Sequence, residues 1–439
     1  MRDYRLIADA MAADIAAGRL RPGDRLPPQR RFARQRGIAV STASRVYGEL
    51  VRRGLAVGET GRGTFVRAGM PKPEPALAEP SAAPVDLELN FPVLPSQAEA
   101  IAASLGPLMR PDVLGEALKP SLVTGTAAAR DEAARVLARG AWSPDPADLV
   151  FTGNGRQAIA AAVAALVPPG ERLGIEAMTY PVVKGIATRL GITLVPLEMD
   201  ADGVVPELPP RLRAVYLQPV LHNPLGITMP AARRAALAEA LCARDLPLID
   251  DGINSFLHPE IAPVAEIAPE RTIVLDSLSK RLAPGLSLGF VVAPRALRER
   301  LVAAVRSGGW AAGQFALAAA TRLMGDGTLA RIEAAKRADA MARQEVVRSR
   351  LTGFAPRADP RAYYCWWELP EPWRAETFVA AAARRGIAVS PAAAFAVSPG
   401  RAPNAVRLAL GSPGMAELAE ALEVLAGVAR ARPEDVGVE

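Results

Sequence analysis

An α+β module of three short helices and a two-stranded ribbon, joined to a larger α/β body that ends in a small α+β domain, is the fold this sequence predicts. Three observations lead to it. Charge is uneven along the 439 residues: residues 1–70 hold 14 Arg against 6 Asp plus Glu, a balance of +8, whereas the remainder holds 38 basic and 40 acidic side chains. Five prolines then interrupt residues 68–88, the composition of a semi-extended connector. Beyond them, short apolar runs alternate with Ala-rich stretches of helical spacing, the pattern of a mostly parallel, doubly wound sheet.

Composition narrows the chemistry. Half the residues are hydrophobic and 22% are charged, which excludes a largely disordered chain. Two Cys (Cys242, Cys365) and two His (His222, His258) provide neither a disulfide framework nor a Cys/His zinc cluster, and fit a reduced, cytoplasmic protein. The longest apolar run, Ala158 to Val167, falls short of the ~20 residues a bilayer requires, so no membrane partner is expected. Lysine is scarce. Against 47 Arg stand only Lys72, Lys119, Lys184, Lys280 and Lys336, so any lysine chemistry belongs to one of these five.

Residues 1–67 form the basic module. Leu6, Ile7, Ala10, Met11 and Ile15 recur at helical spacing, and Gly18 ends that helix. Pro28 suits the first turn of a second helix, which carries Arg30, Arg31, Arg34 and Arg36 around Phe32 and Ala33. Ser41 caps a third helix with Ala43, Val46, Tyr47 and Leu50 inward, leaving Ser41, Thr42, Ser44 and Arg45 outward. GLAVGETGRGTFV reads as two strands around a tip carrying Arg62 and Gly63. This is the order of a helix-turn-helix with a wing, whose third helix offers hydroxyls and Arg to the base edges and phosphates of double-stranded promoter DNA. An Arg-rich solvated helix pair is the plainer alternative.

In GRLRPGDRLPPQRRFA, YGELVRRGL and GRGTFV the module resembles the GntR-type winged helix. The resemblance implies that Arg30, Thr42, Arg45 and the turn Gly61 to Gly63 face DNA. Val40 departs from it, standing where many relatives carry a basic residue.

Residues 89–439 form the body, with the small domain from about residue 310. Strands are expected at Leu149 to Thr152, Arg172 to Glu176, Thr193 to Leu197, Ala214 to Gln218, Leu246 to Asp250, Thr272 to Asp276 and Leu288 to Ala293. YYCWWELP, GIAVSP and NAVRLAL supply strands of the small domain. Ligands of open α/β sheets bind at the carboxyl ends of strands, so the polar residues there are the informative ones. TGNGR opens a helix and offers a phosphate-binding turn, although an ordinary tight turn reads equally well. Tyr180, Asn223, the pair Asp250 and Asp251, and Lys280 follow successive strands. An amine, an acid, a stacking face and a phosphate cradle are the set that pyridoxal 5′-phosphate requires. Of the five lysines, only Lys280 has such neighbours.

In this order the pieces resemble the fold type I aminotransferases, and with the winged helix the whole chain resembles the MocR subfamily of GntR regulators. DSLSKRLAPGLSLGF is the most specific segment. The resemblance implies a homodimer, and the reading is of a transcriptional regulator in which an amino-bearing effector displaces Lys280 from its Schiff base with the cofactor. The alternatives are a working aminotransferase with a DNA-binding appendage and a DNA-binding regulator whose body no longer holds the cofactor. The resemblance further implies that Asp250 pairs with the pyridine nitrogen, Asn223 bonds the ring oxygen and Tyr180 stacks on the ring. Gly155, Arg156, Ser277 and Ser279 hold the phosphate, and Arg407 grips an effector carboxylate. Gly252 and Ile253 stand where relatives carry a Tyr, and Ser287 where they often carry an Arg, a role for which Arg281 offers a substitute.

Overall fold

The computed structural model of the protein describes residues 4–16, 19–21, 23–52, 54–59, 63–67, 83–398 and 402–433. Arg62 and most of the proline-rich connector lie outside them.

Helices Tyr4–Ala16, Gln29–Arg36 and Val40–Arg52 close around Ala8, Met11, Leu26, Phe32, Ala43, Val46, Tyr47 and Leu50. Gly37 ends the second helix at φ 62°, a left-handed conformation that suits glycine and lets the third helix start at once. The Tyr47 hydroxyl donates to the Pro27 carbonyl at 2.6 Å, and its ring meets Phe32 edge-on at 5.2 Å. One side chain thus ties the third helix to the entry of the second. Strands Ala56–Glu59 and Gly63–Val66 pair antiparallel as the wing.

The body is built on a seven-stranded sheet in the order Leu149–Thr152, Gly289–Val292, Thr272–Ser277, Leu248–Asp251, Ala214–Leu217, Arg172–Glu176, Thr193–Leu197. Gly289–Val292 runs antiparallel to both neighbours, and the other pairings are parallel. Five of these strands are buried at every residue, which explains why they read as unbroken apolar runs rather than alternating ones. Helix Gly155–Leu166 packs across the strands Thr272–Ser277 and Gly289–Val292.

Two boundaries differ from expectation. The chain divides into one unit of Met1–Leu89, Glu345–Arg357 and Tyr364–Glu439, and another of Asn90–Gln344 and Ala358–Tyr363. The small domain therefore begins near residue 345, not 310. Helix Gln314–Gly325 stays with the body because Leu317, Ala320 and Leu323 complete the core of Ala129, Ala133, Phe151 and Phe290. The connector is also shorter than residues 68–88. Val85–Leu87 pairs parallel with Ile387–Val389 and becomes the edge of a four-stranded sheet with Tyr364–Glu368 and Ala405–Ala409. Once past Pro84, the backbone N–H groups are available for a ladder, which composition alone does not reveal.

Phe290 is fully buried and meets Phe151 edge-on at 6.1 Å. Phe290→Ala is expected to lower stability by about 3–5 kcal/mol in urea unfolding, the cost of a large cavity at the centre of the sheet.

Candidate functional site

The carboxyl edge of the large sheet gathers most of the expected residues. Asn154 caps helix Gly155–Leu166, accepting the Gln157 N–H at 3.0 Å, so the N–H groups of Gly155 and Arg156 stand at its positive end, where no intrahelical carbonyl pairs them. A Cβ added to Gly155 would lie 3.0 Å from Ser277 Cβ, so glycine allows this helix end to approach the strand. The Ser277 hydroxyl accepts the Ser279 N–H at 3.0 Å and lies 3.1 Å from Ser279 Oγ and 3.2 Å from Ser287 Oγ. Two N–H groups and three hydroxyls therefore converge. The side chain of Arg156 is exposed, so its backbone is what it brings to this cluster.

Lys280 sits in the one-turn helix Leu278–Arg281 that follows strand Thr272–Ser277. Its ammonium donates to the Asn90 carbonyl and lies 4.1 Å from the centre of the Phe91 ring. The turn is held from behind by Lys336, a residue that sequence reading passed over as an ordinary helical lysine. Lys336 is completely buried and donates to the carbonyls of Lys280 at 2.8 Å and Leu282 at 2.5 Å. Burial pushes its ammonium down to about 7. A lysine retained among 47 arginines was the available signal, because a compact ammonium fits between two carbonyls where a planar guanidinium does not.

The two aspartates of strand Leu248–Asp251 lie on opposite faces of the sheet, which corrects the expectation for Asp250. In the parallel register Asp250 pairs with Val274 and Asp251 with Leu275, so Asp251 shares its face with Ser277 while Asp250 shares the other with Asp276. Asp250 accepts the Val264 N–H at 2.8 Å on that rear face. Asp251 accepts the Tyr216 hydroxyl at 2.5 Å and the Gln218 amide at 3.0 Å on Oδ2, and the Ile253 N–H at 3.2 Å on Oδ1. Burial pushes its carboxyl up to about 6, against the pull of those donors. Glu176, buried beside it with only the Gln218 N–H as a strong donor at 2.8 Å, is raised much further. His222 is held down to about 4 by burial and donates from Nε2 to the Met178 carbonyl at 2.8 Å. At neutral pH the front face thus carries an ionised carboxylate at Asp251, and the His222 imidazole is neutral. Asn223 joins through its N–H, which donates to Gln218 Oε1 at 3.1 Å, and half-buried Tyr180 begins helix Pro181–Arg189 nearby, close enough to act on Tyr216.

Arg281 is the second correction. It faces the rear, forming a two-pronged pair with Asp276 at 3.0 and 2.7 Å and another with Glu333 at 2.6 Å. These carboxylates raise its pKa and consume its donors, so it does not replace a phosphate-binding arginine. In the other unit, Arg407 is buried in strand Ala405–Ala409, donates to the Glu88 carbonyl and to Ser390 Oγ at 3.2 Å, and lies 5.0 Å from the Phe395 ring.

On the winged helix, Arg30, Ser41, Ser44, Arg45 and Gly63 are exposed and Thr42 is partly so. Val40 is 49% exposed at the first turn of the third helix.

Comparison with known proteins accounts for both halves. Residues 3–66 match the bacterial regulatory proteins of the gntR family, and residues 119–425 match the aminotransferases of class I and II. The chain belongs to the MocR type of GntR regulators. This regulator is 27% identical to the HTH-type transcriptional regulator YdeF of Bacillus subtilis, over 96% of its own length and 93% of that protein. It is 30% identical to the HTH-type transcriptional regulator TauR of Rhodobacter capsulatus, with 67% of each chain covered. Among solved structures, an archaeal alanine:glyoxylate aminotransferase superposes with a TM-score of 0.72 at 20% identity, covering 79% of this chain and 90% of that one. The α-aminoadipate aminotransferase LysN of Thermus thermophilus gives 0.71 at 22% identity, covering 79% and 92%. These share the fold.

The cofactor of this aminotransferase domain is pyridoxal phosphate, and the front face fits it. A primary amine, an ionised carboxylate, an amide, a phenol and a hydroxyl-lined helix N-terminus occupy one sheet edge, although a ring-oxygen Tyr at 252 or 253 and an Arg at 287 are missing.

Two predictions follow from this chemistry of burial. Arg281→Met removes the one cation hydrogen-bonded to buried Asp276 and Glu333 and leaves only Arg139 and Arg337 at 3.9 and 4.0 Å, so it is expected to cost about 3 kcal/mol in urea unfolding of the cofactor-free protein. A phosphate ligand would give no such loss. Asp251 has a folded pKa of about 6 against an ordinary 3.8, so its protonated form favours the fold. Its contribution is present below about pH 4 and is lost as pH rises through 6, by about 3 kcal/mol at ~1.4 kcal/mol per unit. Thermal or urea unfolding from pH 4 to 7 is expected to show this slope in the cofactor-free protein and a flatter one in Asp251→Asn.

Proposed function

We propose that the chain is a pyridoxal phosphate-dependent, DNA-binding transcriptional regulator that carries the cofactor on Lys280 and senses a small molecule through its primary amine. Bound at the front face, the cofactor supplies an aldehyde that condenses reversibly with amines. The observation that carries the reading is the convergence of Lys280, Asp251 and the helix end at Gly155 in the same unit, with winged-helix residues exposed in the other.

Each residue then has a role. Lys280 is the resident amine, with which the effector competes. Asp251, in place of Asp250, holds the ring nitrogen protonated. Asn223 bonds the ring oxygen and Tyr180 covers the ring. The N–H groups of Gly155 and Arg156 bind the phosphate together with Ser277, Ser279 and Ser287, a charge-favourable use of a helix N-terminus. Arg407 takes the effector's acid group in two-pronged fashion. Arg30, Ser41, Thr42, Ser44, Arg45, Gly63 and Arg62 contact promoter DNA. Exchange of amines at the cofactor shifts the populations of the effector domain and through them the DNA affinity.

A sensing role is favoured over turnover because Gly252, Ile253 and Ser287 replace groups that would steer and bind the cofactor, each such contact being worth about 1.5–3 kcal/mol. An open groove lined by Leu108, Gln314 and Leu317, with Met109 and Phe315 exposed next to Leu108 and Gln314 in the chain, supports a homodimer joined through this surface. The regulator is expected to act in the cytoplasm, where promoter DNA is.

Borohydride reduction of the protein supplied with pyridoxal phosphate is expected to attach a pyridoxyl group to Lys280, and titration with amino compounds should both shift the absorption band and change the mobility of a promoter fragment. Lys280→Ala should lose both responses to amines while still binding the fragment. Steady conversion of an amino acid and a keto acid by the wild-type protein would instead establish an enzyme.

A further inference from the structure

The carboxylate at the front of the sheet is supported in an unusual way. Among the described residues, no arginine or lysine pairs with Asp251. Its partners are the neutral donors Tyr216, Gln218 and the Ile253 N–H. Tyr216 and Gln218 extend from the neighbouring strand and its end, and both donate to the same oxygen, Oδ2. Both are buried, Tyr216 completely. The amide of Gln218 has no freedom to turn over. Its Oε1 accepts the Asn223 N–H, which obliges its NH2 group to face Asp251. Gln218 therefore ties together the two residues assigned to the ring nitrogen and the ring oxygen.

We infer that Tyr216 and Gln218 are positioning residues for the cofactor: by donating together to Oδ2 they hold the Asp251 carboxylate in its charged form and leave a lone pair of Oδ1 to accept a hydrogen bond from the protonated pyridine nitrogen. The inference rests on the proposed binding of pyridoxal phosphate at Asp251. Two donors on one oxygen orient the carboxylate as well as stabilise its charge, because rotation about χ2 would break both bonds at once. The other groups that act on Asp251 work against ionisation. Glu176 ends strand Arg172–Glu176, and Asp276 lies on the adjacent strand Thr272–Ser277, with Asp250 behind on its own strand. Tyr180 and His222 approach through Tyr216 and Glu176 respectively. None of these is a cation at neutral pH, so the two neutral donors carry the task that an arginine performs for Asp276 on the opposite face.

Pyridoxal phosphate affinity of the full-length protein, measured by absorbance between pH 5.5 and 8.5, tests this. Tyr216→Phe removes one hydroxyl with almost no change of shape and is expected to weaken binding about tenfold near neutral pH, the effect of losing one hydrogen bond to a charged group. Because the carboxyl loses a donor, the acid-side fall in affinity should begin at a higher pH, by about one unit. Gln218→Glu places a second acid against Asp251 and should weaken binding further with the same displacement. In an Asp251→Asn background, where no charge remains to be held, Tyr216→Phe should change affinity by less than about twofold. Wild-type affinity with an unmoved acid limb in both Tyr216→Phe and Gln218→Glu would overturn the inference. So would a loss that persists undiminished with Asp251→Asn, which marks a packing role. If the wild-type protein yields no borohydride-stable adduct on Lys280, the cofactor reading itself has failed, and this inference falls with it.

Discussion

Four carboxylates buried in the interior strands of one mixed sheet set the terms for the rest of this body. Glu176, Asp250, Asp251 and Asp276 are each at most a few per cent exposed. A buried charge is tolerated only with a partner, and the two faces of the sheet solve this differently. At the rear, Arg281 pairs with Asp276 and Arg139 acts on both Asp250 and Asp276. At the front Asp251 has only neutral donors. The sheet thus places its compensated charge on one side and an uncompensated carboxylate on the other, beside a helix N-terminus and a lysine. A cofactor with a protonable ring and an anionic phosphate suits that distribution.

The direction of Lys280 depends on the same division. Lys280 and Arg281 are consecutive in a single helical turn and project about 100° apart. Asp276 and Glu333 draw Arg281 to the rear, and Lys336 grips the carbonyls of Lys280 and Leu282. With its neighbour and its backbone fixed, the lysine side chain is left for the front. Two buried side chains, Arg281 and Lys336, therefore decide where the amine of Lys280 goes.

Much of this was legible in the chain. The seven strands of the large sheet were expected within one or two residues, because strands buried on both faces leave apolar runs bounded by turns. The winged helix was legible from charge and the inward spacing of Ala43, Val46, Tyr47 and Leu50, although the third helix starts at Val40, one residue before the expected cap Ser41. Lys280 stood out through the scarcity of lysine. What failed was finer. Asp250 and Asp251 are adjacent in sequence, and a strand one residue out of phase exchanges their faces. Arg281 looked available because its partners, five and 52 residues away, are brought together only by packing. The connector hid a strand, since Val85–Leu87 acquires its ladder from residues 300 positions later.

The sequence by itself determined the two-part architecture, the DNA-facing helix, the sheet and the lysine, because these follow from local periodicity, composition and elimination among few candidates. Only the tertiary structure decided which aspartate shares a face with Ser277, that Arg281 pairs with Asp276 and Glu333 while Lys336 holds carbonyls of the turn, and that Tyr216 and Gln218 donate to Asp251. The physical reason is that a side chain's role inside a sheet depends on the face it takes and on the charges across from it. Both are properties of register and packing, and neither is written in the neighbouring residues.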